Sequence, residues 1–174
     1  MSDIPKNVDP TPQTGFYHRY AIRKLEDILE STPDNSVGII VADIFQLKTP
    51  HDKYGHPPVD EVIDKVGQVF EHHAHTQDIA CRFGGDEFLL IIPQTSIQEL
   101  QERAEQIRQD ANKIRVHIDG QPREKIRLSV GTALWPLDTN SYPHPALRAA
   151  EALVYFAEQD LQRIRNLYVQ EDLL

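Results

Sequence analysis

Two hydrophobic rhythms alternate along the chain. Tyr17, Tyr20, Ala21, Leu25, Ile28 and Leu29 recur at helical spacing and predict an amphipathic helix over roughly 15–31. Pro33, Asp34 and Asn35 interrupt it. Val37-Gly-Ile-Ile-Val-Ala42 is a continuous apolar run, the pattern of a strand buried on both faces, and Asp43 stands at its end. Pro57-Pro58 opens a second helix with Val59, Val62, Ile63, Val66, Val69 and Phe70 on its apolar face. Segments 79–83 and 88–92 read as two strands around Gly84-Gly85-Asp86-Glu87, a hairpin whose glycines permit positive backbone angles in a tight turn. Ile97, Leu100, Ala104, Ile107, Ala111 and Ile114 mark a third helix. A strand follows over 126–134. Leu147, Ala150, Val154, Ala157, Leu161, Ile164 and Tyr168 mark a long final helix. Helices and strands mixed in this order imply an α+β or α/β sheet with helices packed on it.

The chain has 174 residues, the size of one domain. Pro5, Pro10 and Pro12 sit among polar residues and mark 1–13 as a tail or linker, which leaves 14–170 as the domain and 171–174 as a short end. Formal charge is 18 − 27 = −9, which argues against a partner held by bulk positive charge, such as a nucleic-acid polymer or an anionic membrane. A nucleotide site is compatible with that charge, because it needs only local positive groups and a metal. Cys81 is the single cysteine, so neither an internal disulfide nor a cysteine zinc cage can form. The polar start and the absence of a long apolar run predict a cytoplasmic protein without direct membrane contact.

The candidate chemistry is acidic. Asp43 ends a buried strand, and Asp86 and Glu87 sit at a hairpin tip; sheet ends are where open α/β folds bind ligands. If the hairpin lies beside the first strand, these carboxylates converge and repel. A divalent cation offsets such repulsion, and Mg²⁺ favours one or two carboxylates completed by substrate phosphates. That chemistry is phosphoryl or nucleotidyl transfer. Solvated turn residues are the plain alternative.

The stretch Arg82-Phe-Gly-Gly-Asp-Glu-Phe88 resembles the signature of GGDEF domains, the diguanylate cyclases. Four further segments resemble that family's motifs in order: Thr14-Gly-Phe-Tyr-His-Arg19, Val41-Ala-Asp-Ile-Phe-Gln-Leu-Lys48, Lys53-Tyr-Gly-His56 and Leu128-Ser-Val-Gly-Thr-Ala133. The resemblance implies a palm-like α+β fold, with a mainly antiparallel five-stranded sheet flanked by helices. It also implies condensation of two GTP molecules into cyclic di-GMP by a homodimer, with Mg²⁺ or Mn²⁺ as cofactor. An upstream sensor domain or partner protein commonly controls such domains. Carried over by position, Asp43 and the Ile44 carbonyl would bind metal. Asp86 would be a metal ligand and general base, and Glu87 would support the metal and transition state. Lys48 would neutralise phosphate charge. Backbone groups at Gln46 and Leu47 would cradle phosphates, Asp60 would read the guanine N1–H and 2-amino groups, and His56 would lie near the nucleotide.

The sequence also departs from the family pattern. Phe45 replaces an acidic residue of the first motif, and His51 falls where an Asn reads the base. Imidazole does not reproduce an amide's paired donor and acceptor, which predicts weaker or altered base recognition. Glu158 falls where a phosphate-binding Lys belongs and Gln162 where an Arg belongs; Arg163 or Arg165 would have to reach from another helical face. The family's inhibitory product site is an Arg-x-x-Asp, and His75-Thr-Gln-Asp78 occupies its place, so product inhibition there should be weak or absent. Two readings of different classes follow: an active cyclase, or a degenerate module that binds GTP or a partner and serves regulation or dimerisation. A cyclase with altered base choice is a third, against which Asp60 speaks. His72, His73 and His75 read as a solvated helix end rather than a metal site, and Cys81 as an inert core residue.

Overall fold

The computed structural model describes residues 14–31, 35–45, 56–118, 121–136, 155, 157–163 and 166. The elements run α1 (Thr14–Ser31), β1 (Val37–Ile44), α2 (His56–His73), β2 (Ile79–Arg82), β3 (Glu87–Pro93), α3 (Ile97–Ala111), β4 (Arg115–Ile118), β5 (Gln121–Lys125) and β6 (Leu128–Trp135). A last helix, α4, covers 157–163.

The main sheet has the order β2-β3-β1-β6, and each of its three pairings is antiparallel. β1 is central and buried along its whole length, which explains its unbroken apolar sequence. Its residues alternate between two cores. Ile40, Ala42 and Ile44 face α2 and α3 with Val62, Val66, Phe70, Leu100 and Ile107. Val37, Ile39 and Val41 face α1 and α4 with Leu25, Leu29, Ala157 and Leu161. Among the described residues, the sheet is thus covered on both faces.

The expected five-stranded sheet is a four-stranded one among the described residues. β4 and β5 pair only with each other, with an irregularity at Val116/His117. Segment 115–125 is mostly polar, and Pro122 lacks a backbone donor, so neither strand carried the apolar signal of a central one. The third helix also stops earlier than its periodicity predicts. Asn112 caps it, and Ile114 lies past the end while still packing on the core. At its start, the Ser96 side chain accepts from the Glu99 N–H at 3.2 Å. Among the described residues, no helix is long and apolar enough to cross a membrane.

Candidate active site

The site grows from the register of three strands. Asp43 is directly opposite Glu87 of β3 on one side and Ser129 of β6 on the other. Directly opposed residues of antiparallel strands project from the same face. One row across the sheet end therefore reads Glu87, Asp43, Ser129, on the face covered by α1 and α4. Asp43 is only 6% exposed and Ser129 is fully buried. The chain is tied at the same level by Ile44 N–H donating to the Asp86 carbonyl (3.2 Å) and Phe45 N–H donating to the Arg127 carbonyl (2.9 Å). Asp43, Ile44, Asp86 and Glu87 are thus brought together. Phe45, where the family pattern has an acid, is buried and apolar.

The turn that presents Asp86 and Glu87 is held from inside. Phe83 and Gly84 N–H groups donate to the Glu87 carbonyl at 2.8 and 3.2 Å. The Arg82 guanidinium donates to the carbonyls of Gly84 and Gly85. Neither glycine takes the positive backbone angle expected of it. A Cβ at Gly84 would lie 2.3 Å from Glu87 Oε2, so the Glu87 carboxylate folds back close against the turn. A side chain at Gly84 would displace that carboxylate rather than strain the backbone, and Gly85 has open space around it.

The donors at this sheet end are all oxygens, which suits Mg²⁺ or Mn²⁺ and not a soft metal. Asp43 and Glu87, like charges directly opposite each other, carry an electrostatic cost that a cation would relieve. Among the described residues, no group of three or more His, Cys, Asp or Glu side chains forms a ready-made cage. Magnesium does not require one, because it keeps waters and takes substrate phosphates. The residues fit a hard divalent cation.

The remaining expected positions divide. Gln46, Leu47, Lys48 and His51 lie outside the described residues, as does the side chain of His56, the first residue of α2. Asp60 is exposed on α2, beside buried Val59 and Val62. The last helix is seated against β6 at Gly131, where a Cβ would meet the Ala157 carbonyl at 1.9 Å and the Leu161 nitrogen at 2.4 Å. The Thr132 N–H donates to Asp160 Oδ2 at 3.2 Å and reinforces the contact. Glu158 is half-buried and Gln162 exposed on the seated helix. Arg163 pairs with Asp160 at 2.9 Å, so it is engaged within its own helix. Arg165 lies outside the described residues.

Asp78, the retained acid of the product-site pattern, is not open to a ligand. Its side chain is 5% exposed, and Arg103 of α3, 6% exposed, donates to it at 2.5 Å. Arg103 also donates to Glu99 at 2.7 Å and faces His75 Nδ1 at 2.9 Å. The His75 N–H donates to Asp78 at 2.8 Å. The histidine group splits accordingly: His75 faces Arg103, while His73 Nε2 meets Asp110 Oδ2 at 2.8 Å. Hydrogen bonds from Lys113 and then His73 hold the Asp110 carboxyl below its usual range. Burial pushes the Cys81 thiol up to about 12, as an inert thiol requires.

Sequence reasoning gave no role to Arg82, Arg103 or Ser129. Arg103 was detectable: it falls on the Leu100, Ala104, Ile107 stripe, where a charged residue signals a buried partner. Arg82 and Ser129 stand inside recognised motifs, but only the fold reveals what each faces.

The diguanylate cyclase, GGDEF domain family profile matches residues 11–163. Diguanylate cyclase DosC of Shigella sonnei is 28% identical over 125 residues, which are 71% of this chain and 26% of that protein. The uncharacterized protein YhcK of Bacillus subtilis is 28% identical over 153 residues, 84% of this chain and 42% of that one. The chain therefore spans about a quarter of the first of these relatives and less than half of the second. The fold is similar to the GGDEF domain of DgcB from Caulobacter crescentus, solved in complex with c-di-GMP: TM-score 0.74, 21% identity, covering 86% of this chain and 84% of that one. Together with the acidic row at the sheet end, the match over 11–163 places this chain in the GGDEF domain family, the diguanylate cyclases.

Proposed function

We propose that the domain condenses two GTP molecules into one cyclic di-GMP and two pyrophosphates, with each subunit of a homodimer holding one GTP. The observation that carries this reading is the direct opposition of Asp43 and Glu87 at the sheet end, with Asp86 tied to Ile44 beside them. The 3′-hydroxyl of each GTP attacks the α-phosphorus of the other, a new P–O bond forms, and pyrophosphate leaves. Asp86 takes the hydroxyl proton as general base. Glu87 and Lys48 balance the charge that develops on the phosphate. Asp60 selects guanine by accepting from N1–H and the 2-amino group, with His51 and His56 beside the nucleotide and Gln46 and Leu47 backbone groups around the phosphates. Asp43, the Ile44 carbonyl and Asp86 would hold Mg²⁺ or Mn²⁺, which supplies Lewis-acid stabilisation of the phosphates.

A second reading, a module that binds GTP or a partner protein without turnover, is favoured by one observation. The Gly131 contact fixes α4 in a register that offers Glu158 and Gln162 in place of the cations of the family pattern. Arg163 is already engaged with Asp160. Incubation of concentrated protein with GTP and Mg²⁺ or Mn²⁺, followed by chromatography for cyclic di-GMP and pyrophosphate, separates the two. The cyclase reading expects product from the unaltered chain and none from Asp86→Ala or Glu87→Ala, both folded. GTP binding without product at high protein concentration favours the second reading.

A further inference from the structure

Ser129 is the third member of the row Glu87, Asp43, Ser129, and nothing in the reading above uses it. It is fully buried, and its Oγ has no hydrogen-bond partner among the described residues. A buried hydroxyl without a partner is costly, and native proteins keep few of them. On its own face of β6 the next positions are Gly131 and the buried Ala133, small residues without a polar side chain, so an alanine would suit the packing at least as well. The hydroxyl projects from the same face as the Asp43 carboxylate, directly across one strand pair. Cβ atoms so placed are about 4.5–5.5 Å apart, within reach of a serine hydroxyl and a carboxylate oxygen once either side chain turns.

We propose that Ser129 is a positioning residue for the metal site: its O–H donates to one Asp43 oxygen while the other Asp43 oxygen binds the cation. The inference rests on the metal reading of Asp43. A carboxylate has lone pairs enough for both partners. Donors that hold a metal-binding carboxylate in place set its orientation, and losing one costs about tenfold or more in metal affinity. The bond to Asp43 gives the buried serine hydroxyl the partner it lacks in the structure.

The test is thermal melting of the full chain with 3′-deoxy-GTP held saturating and Mn²⁺ titrated; the analogue lacks the attacking hydroxyl, so no turnover intervenes. Ser129→Ala should remain folded, yet need about tenfold more Mn²⁺ to reach half its stabilisation. Ser129→Cys, similar in size but a weak donor, should behave like Ser129→Ala. An unchanged Mn²⁺ midpoint in both variants overturns the positioning role and leaves the metal reading standing. Asp43→Asn should abolish the Mn²⁺ response. If the response survives in that variant, or is absent from the unaltered chain, the metal reading fails and this inference with it.

Discussion

Arg103 is the residue whose replacement gives the sharpest physical test. Its guanidinium and the Asp78 carboxylate are buried at 6% and 5% exposure and joined at 2.5 Å. Arg103→Met keeps the stem volume and removes the charge. Asp78 is then a buried carboxylate with one remaining donor, the His75 N–H at 2.8 Å. Breaking a buried pair from one side costs about 3–5 kcal/mol, because the partner charge is stranded. The retained His75 bond places the expected loss at the lower end, about 3 kcal/mol. For a domain of this size that lowers the melting temperature by about 6–12 °C. Asp78→Asn keeps an acceptor for the His75 N–H but carries no charge. In the double variant Arg103→Met, Asp78→Asn no charge is stranded, and most of the loss should return, to within about 1 kcal/mol of the unaltered chain. Urea denaturation of the four proteins closes the cycle, with an expected coupling of at least about 2 kcal/mol. A single-variant loss under about 1 kcal/mol, or additive losses in the double variant, would refute the claim that Asp78 is neutralised from within.

The same pair yields a functional expectation: His75→Arg rebuilds the Arg-x-x-Asp spacing but should not create calorimetric binding of cyclic di-GMP, whereas His75→Arg with Arg103→Met should. Binding by the first variant alone would show that Asp78 is available after all. On the cyclase reading, Glu158→Lys with Gln162→Arg should lower KM for GTP about tenfold, because the added cations would meet the triphosphate; an unchanged KM would remove α4 from the proposed substrate site. Cys81 should resist a thiol reagent at pH 8 in the native state and react about a thousandfold faster in urea, in proportion to the thiolate fractions for pKa values of about 12 and 9.0. Since the folded pKa is the higher one, its contribution to stability is complete below pH 9 and is lost as pH rises toward 12, and Cys81→Ala should flatten that decline.

Much of the architecture was legible because burial wrote it directly. β1 is apolar at consecutive positions, since both its faces are covered, and the helices carry 3.6-residue stripes, since one face of each is. The β4–β5 ribbon was not legible, because a mostly polar segment with Pro122 gives no periodic signal. Asp43, Asp86 and Glu87 were legible as candidates, but their meeting depended on pairing β1 with β3 in one register. A one-residue slip would have put Asp43 and Glu87 on opposite faces. The positive backbone angles expected of Gly84 and Gly85 are not taken, because a glycine in a turn looks the same in sequence whichever backbone region it adopts.

The location of the departures bears on the choice between cyclase and silent module. Asp43 and Glu87 stand on the two central strands, where the ladder with β6, the Phe83 and Gly84 bonds to Glu87 and the Arg82 guanidinium all fix the backbone. Groups assigned the chemistry in the proposed reading need that precision, because small displacements of a base or metal ligand cost orders of magnitude in rate. Glu158 and Gln162 belong instead to a helix that touches this frame through Gly131 and Asp160. On the cyclase reading, a change there alters what the phosphates meet without moving the carboxylate row. Losses confined to the periphery raise KM before they reduce kcat. The expected phenotype is therefore a cyclase that needs more GTP, and a chain that bound GTP tightly without turning it over would contradict this division between frame and periphery.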